Sequence, residues 1–285
     1  MKGICALYEE ETDLVESHIY PKFVIKHSKE TGSRFLRNFE TPNKRDQDGP
    51  KPYLLGLKAE QKFSKSEKWF AENIFKPYLN EKYTLEYDEN LYYFAISFLW
   101  RVIQLELRTS RTDFTKKWYY DKMMEAEKEW REFLKKNTIP KNHHNVNMLL
   151  TSRLLNNNSG IKGVDFYFTR ALDATIVSNE TKTSLLIYGK FNRFIFWSTI
   201  LSEPYTDELY EVEINPNGGI IEVPQQVEFY PFNSFVSNRL RGVEKMPKAG
   251  EAQQEKIEKE ILKNIDEFWK SDLGESLDND MRFDT

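Results

Sequence analysis

The stretch from 91 to 103, LYYFAISFLWRVI, constrains this chain more than any other. Leu91, Phe94, Ala95, Phe98, Leu99, Val102 and Ile103 recur at the i, i+3, i+4, i+7 spacing of a helix, and Asp88 stands where a capping side chain belongs. A helix this apolar must be covered by other elements. The 285 residues provide ample chain for such a core, and the 20 Phe, 15 Tyr and 6 Trp provide unusually many flat rings to build it. The apolar runs fall well short of the roughly 18 residues a membrane helix needs, so no span is expected.

Around that helix the chain divides into zones. Residues 1–80 hold short apolar segments broken by Gly, Pro and charge. Residues 81–158 read as helical, and a third helix is expected over 113–136, with Phe114, Trp118, Trp130, Phe133 and Leu134 on its apolar face. Ser64 and Glu67 form an S-x-x-E capping box that predicts a helix start there. The run at 156–160, NNNSG, is a break. Residues 159–243 change character: 164–177 mixes aromatic and β-branched residues, while SLLIY at 184–188 and RFIFWSTIL at 193–201 have strand length. Two alternating runs flank an Asn-Gly-Gly turn at 217–219, which predicts a hairpin over 211–223. The fold class expected is α+β: an N-terminal finger, a helical middle layer, a C-terminal antiparallel sheet and a final amphipathic helix. That last helix, at 251–269, places Ile257, Ile261, Ile265 and Trp269 in one i, i+4 row, a candidate protein-docking face. The zone 244–285 holds 12 acids against 7 bases, and its end, 272–285, is expected to fray.

The net charge of −4 provides no global attraction to nucleic acid, so such binding would need a local patch. The best one is 22–45, where Lys22, Lys26, Lys29, Arg34, Arg37, Lys44 and Arg45 face only Glu30 and Glu40. A single cysteine, Cys5, excludes an internal disulfide framework and a cysteine-rich zinc site. The N-terminus turns acidic early and lacks a secretory apolar stretch, which makes the cytoplasm the expected location. P-loop, nucleophile-elbow, dinucleotide-binding and zincin motifs do not occur, which argues against those chemistries.

The first 70 residues carry the most chemistry. Cys5-Ala6-Leu7-Tyr8 comes first, then Ser17-His18-Ile19-Tyr20-Pro21, then Leu55-Gly56-Leu57-Lys58-Ala59-Glu60. In order and rough spacing this resembles an eroded HNH-type (ββα-metal) endonuclease domain, in which a C-x-x-C knuckle, a [D/E/H]-H-I-x-P segment and an L-C-x-x-C-[N/H/E] knuckle follow one another. The resemblance covers about a quarter of the chain. It implies that His18 is the general base that takes a proton from the attacking water. It implies one divalent cation, such as Mg²⁺ or Mn²⁺, with Glu60 at the helix ligand position and Ser17 where a carboxylate or histidine normally stands. It implies phosphate contacts for Lys22, Lys26, Arg34 and Arg37, and a DNA endonuclease used in bacterial defence against phage. The family's Asn falls near Lys51. Its zinc cysteines fall at Cys5, Tyr8, Gly56 and Ala59, so structural zinc is not expected, and Tyr8 is expected to fill the space that zinc and thiolates left. The other reading is an inactive HNH-derived scaffold that binds a protein partner or a small ligand.

Three further charged groups stand out. His143-His144 are adjacent, so their rings diverge and rarely share a metal. Arg101, beside Trp100 in the apolar helix, is either a buried ion-pair arginine or points into a phosphate groove. Arg170, Asp173, Lys190 and Arg193 bracket the β-rich zone and are either ordinary polar strand residues or a ligand pocket.

Overall fold

The computed structural model describes residues 1–37, 41–109, 113–202 and 211–283, with the side chains of Arg37 and Val243 left out. The chain opens with β1 (Lys2–Ile4), β2 (Glu11–Glu16), α1 (Lys22–Glu30), β3 (Leu36–Arg37), β4 (Arg45–Asp46), β5 (Tyr53–Gly56) and α2 (Leu57–Phe70). A π-turn at Ala71–Phe75 carries α2 into α3 (Lys76–Leu79). Then come β6 (Thr84–Tyr87), α4 (Glu89–Thr109), a 3₁₀ turn at Phe114–Lys116 and α5 (Tyr120–Lys136). The second half runs β7 (Asn147–Leu150), α6 (Val164–Arg170), β8 (Leu172–Ser178), β9 (Leu185–Phe191), β10 (Phe194–Leu201), β11 (Gly219–Glu222), α7 (Tyr230–Glu244), α8 (Glu251–Lys263), α9 (Ile265–Trp269) and α10 (Asp272–Phe283). The architecture is α+β with antiparallel sheets. The larger sheet has the order β7-β10-β9-β8, and a smaller one β1-β2-β5. Among the described residues no helix is long and apolar enough to cross a membrane.

Helix α4 is the hub the sequence demands. Every residue from Leu91 to Gln104 is buried, and Asp88 accepts the backbone N–H of Asn90 at 2.9 Å as its cap. Its rings meet those of α2 and the larger sheet: Phe94 stacks on Phe70 at 4.0 Å, and Phe98 stands edge-on to Phe191 at 5.2 Å. Close approach to the sheet depends on Gly189, where a Cβ would lie 2.5 Å from the Phe98 ring. Burying each such ring contributes about 2–3 kcal/mol, and the ring pairing adds about 1 kcal/mol. One apolar cluster draws together Cys5, Leu55, Leu99, Phe196 and Ile221, so the N-terminal sheet, the helices and the larger sheet share a core.

The structure departs from several local expectations. Ser64 and Glu67 lie inside α2, which starts seven residues before Ser64 at Leu57. The run 164–177 splits into α6 and β8. The 211–223 hairpin does not form: the turn exists, with Gly218 at φ 104°, but β11 pairs antiparallel with β6, Gly219 opposite Tyr87 and Glu222 opposite Thr84. The predicted C-terminal helix breaks at Asn264 (φ −142°) into α8 and α9. The acidic end is not frayed but forms α10, docked on α6. Asp280 accepts the N–H groups of Asp165 and Phe166 at 2.8 and 2.9 Å, capping α6. Asp272 collects Arg153, Arg170 and Arg193. Its carboxylates find partners that local composition cannot reveal.

Candidate active site

The segment after β2 leaves its sheet against a proline-flanked stretch, with Ser17 donating its N–H to Pro52 O and Ile19 to Pro50 O, at 2.9 and 3.2 Å. This fixes His18 between β2 and α1, and its imidazole is half-buried on one wall of a cleft of about 450 Å³. Lys22 stands on the same side at the start of α1. Glu60, Ser64, Lys65 and Glu67 come from α2, and Arg101 from α4 closes the floor.

Arg101 organises the site. Its Nη1 donates to the His18 carbonyl at 2.8 Å and to Glu67 Oε1 at 2.7 Å, and its Nε donates to Ser97 O at 3.2 Å. The Nη2 is buried with no hydrogen-bond partner among the described residues. Arg101 is only 3% exposed, and a buried nitrogen without an acceptor is costly to the fold. Burial pulls the His18 imidazole below its usual range, with the Lys22 charge adding to the effect, so the ring is in its neutral form near pH 7. Burial pushes the Glu60 carboxyl up, against the Ser17 hydroxyl and the Arg101 charge, which favours its protonated form. A neutral imidazole and a carboxyl raised above its usual range therefore line one cleft.

Of the residues predicted for the site, the structure brings together His18, Lys22 and Glu60. Lys26 lies one turn along α1, exposed and 3.7 Å from Glu30. Arg34 lies beyond α1, 5.7 Å over the Phe35 ring, away from the cleft lining. The backbone of Arg37 pairs with Arg45 in the β3–β4 ribbon, and its side chain lies outside the described residues. Lys51, at the family's Asn position, is paired with Glu16 and Asp48 at 3.0 and 3.1 Å. Glu67 was hidden in the sequence by its resemblance to a cap, and Lys65 by the many lysines around it. Arg101 carried a legible signal, a lone charge inside an apolar helix.

Of the four knuckle positions, Cys5 and Gly56 are in contact. Cys5 Sγ accepts the Gly56 N–H at 3.4 Å, the Lys58 ammonium lies 4.6 Å over the Tyr8 ring, and Ala59 is fully buried. Gly56 is small because Thr12 crosses it: a Cβ there would meet the Thr12 methyl at 2.6 Å. A divalent cation is the group the resemblance implies in the cleft. Among the described residues no three His, Cys, Asp or Glu side chains converge as ligands. Glu67 is committed to Arg101, which leaves Glu60 as the other carboxylate lining the cleft. These donors do not fit a preformed cation centre.

Of the remaining candidates, His143, Arg170, Asp173 and Lys190 are buried, while His144 is exposed and Arg193 is half-buried. His143 is buried against Glu129, its Nδ1 3.3 Å from the carboxylate, while the His143 and His144 carbonyls accept from Trp130 and Tyr92. Asp173 and Lys190 sit in a closed polar network with Tyr167, Tyr188 and Arg239. The chain matches no family model, no curated protein and no solved structure.

Proposed function

We propose that this protein is an HNH-related, nucleic-acid-directed phosphodiesterase working at the His18 cleft. A neutral imidazole lining one cleft with the Arg101 guanidinium carries this reading, because a guanidinium suits a non-bridging phosphate oxygen. Lys22 and Lys65 at the rim add two cations against Glu60 and Glu67, which suits a backbone held without reading its bases. His18 takes a proton from water, the resulting hydroxide attacks phosphorus, and the bond from phosphorus to one ribose oxygen breaks. Glu60 returns a proton to that leaving oxygen. Arg101 stabilises the charge that builds on the phosphoryl oxygens. DNA as the substrate, and a part in defence against foreign DNA, rest on the family resemblance.

Salt dependence of binding tests this reading. A labelled DNA duplex titrated with protein should lose affinity steeply between about 50 and 200 mM salt. Lys22→Ala and Lys65→Ala should each reduce the log–log slope by about one. Binding that ignores salt, or that is unchanged in both variants, would contradict it. The scaffold reading has its own observation, the exposed Leu262, Ile265 and Trp269 of α8 and α9, and salt-independent partner binding lost in Trp269→Ala would favour it.

A further inference from the structure

The larger sheet treats its two edges differently. At the β7 edge the outward backbone groups are taken up within the fold. Met148 donates its N–H to Val212 O at 2.8 Å, Leu150 donates to the Gln225 side chain at 2.9 Å, and the Met148 carbonyl accepts from Gln225 at 3.0 Å. At the other edge β8 runs for seven residues, Leu172 to Ser178, each opposite a residue of β9 in unbroken register. An antiparallel strand sends its N–H and C=O groups alternately to either side, so β9 satisfies only half of those on β8. Among the described residues no strand pairs with the outer edge and no loop backbone bonds to it. An edge that is to stay single usually carries a lysine, a proline or a bulge. The sequence of β8, LDATIVS, has no lysine or proline, and its register has no shift. Its one charge, Asp173, is already neutralised by Arg239 of α7, so a further strand would bury no unpaired charge. Leu172, Ala174 and Ile176 rest on the main core and Val177 on a second apolar cluster, which holds the strand rigid from both faces.

We propose that a second copy of this chain pairs with β8 through its own β8, antiparallel about a two-fold axis at Thr175, joining two four-stranded sheets into one. An extended backbone is what a row of free N–H and C=O groups recognises. A copy of β8 meets it without conflict, because the register about Thr175 sets Asp173 opposite Val177 and Ala174 opposite Ile176, and no like charges face each other. The two-fold also closes the contact, since each copy uses the edge that the other needs. None of these residues lines the His18 cleft, so the pairing stands whether or not that cleft cleaves DNA.

Light scattering on the full chain over a range of concentrations, joined to cysteine cross-linking, tests the assignment. The mass of two chains is expected. Residues facing each other at the axis have Cα atoms about 4.5–5.5 Å apart, within reach of a disulfide, so Thr175→Cys should cross-link to a covalent dimer under mild oxidation. Cys5 is 2% exposed, which leaves the introduced thiol as the reactive one. Thr175→Lys sets two ammonium groups opposite each other and should weaken the dimer at least tenfold, with circular dichroism to show that the fold is kept. A single-chain mass at every concentration overturns the proposal, as does a folded Thr175→Lys that dimerises like the wild type. A two-chain mass without a Thr175→Cys cross-link also overturns it, by placing the contact elsewhere, as on the exposed Leu262 and Trp269 of α8 and α9.

Discussion

Two polar clusters in this molecule use the same residue types to opposite ends. The network around Asp173 is satisfied from within the fold, with only Arg239 reaching the surface. Its carboxylate accepts from Arg239 Nε at 2.7 Å and Tyr167 OH at 2.9 Å, Tyr167 meets Tyr188 at 3.0 Å, and Lys190 donates to the carbonyls of Ala171, at 3.1 Å, and Asn192. The His18 cleft is open, and Arg101 Nη2 has no hydrogen-bond partner among the described residues. Where each donor has found its acceptor within the fold, charge serves stability. Where such a cluster opens onto a cleft, its charges are placed to meet a ligand under the reading proposed above.

Mutations should separate the two. Removing the hub of the closed network has the largest expected effect on folding: Asp173→Ala leaves Arg239 and Lys190 without their counter-charge and should cost about 4 kcal/mol in urea unfolding. Phosphate binding at the His18 cleft should persist wherever the variant is folded. The same network predicts a pH signature. Burial pulls Lys190 from its usual 10.5 down to about 7, so the folded protein releases that proton earlier than the unfolded chain. Between pH 7 and 10 the unfolded chain binds more protons, and stability therefore rises with pH, by on the order of 2 kcal/mol from this residue. Lys190→Met should flatten that rise when unfolding midpoints are compared across the window. A smaller loss is expected at the docked tail, where Asp280→Ala removes the acceptor for two α6 N–H groups. About 1–2 kcal/mol should go, with earlier proteolysis of α10. The least is expected from Lys26→Ala: its pair with Glu30 is exposed and 3.7 Å apart, so the unfolding midpoint should not move.

How much of this was legible in the sequence depended on whether the cause was local. Helix α4 and strands β9 and β10 follow from unbroken apolar patterns, and the Asp88 cap from its place before one. The turn before Gly219 was legible, but its partner was not, since β6 reaches β11 from far away in the chain. The docking of α10 escaped composition because an acidic tail looks solvated until Arg153, Arg170 and Arg193 are seen around Asp272. At the cleft, His18, Lys22 and Glu60 were each nameable, while the role of Arg101 required knowing that α4 passes beneath them. Glu67 was misread because the same four residues that make a capping box also put Ser64 and Glu67 on one helical face.

The most direct test of the open cleft is nicking of supercoiled plasmid by wild type and His18→Ala, with Mg²⁺, Mn²⁺ or EDTA, alongside melting curves of both. The account predicts that His18→Ala loses at least a hundredfold in rate while its melting temperature is unchanged, and that wild-type rate rises with pH to a midpoint below 6.5, as the lowered imidazole requires. Equal nicking by both proteins, or no nicking by either while both are folded, would contradict it.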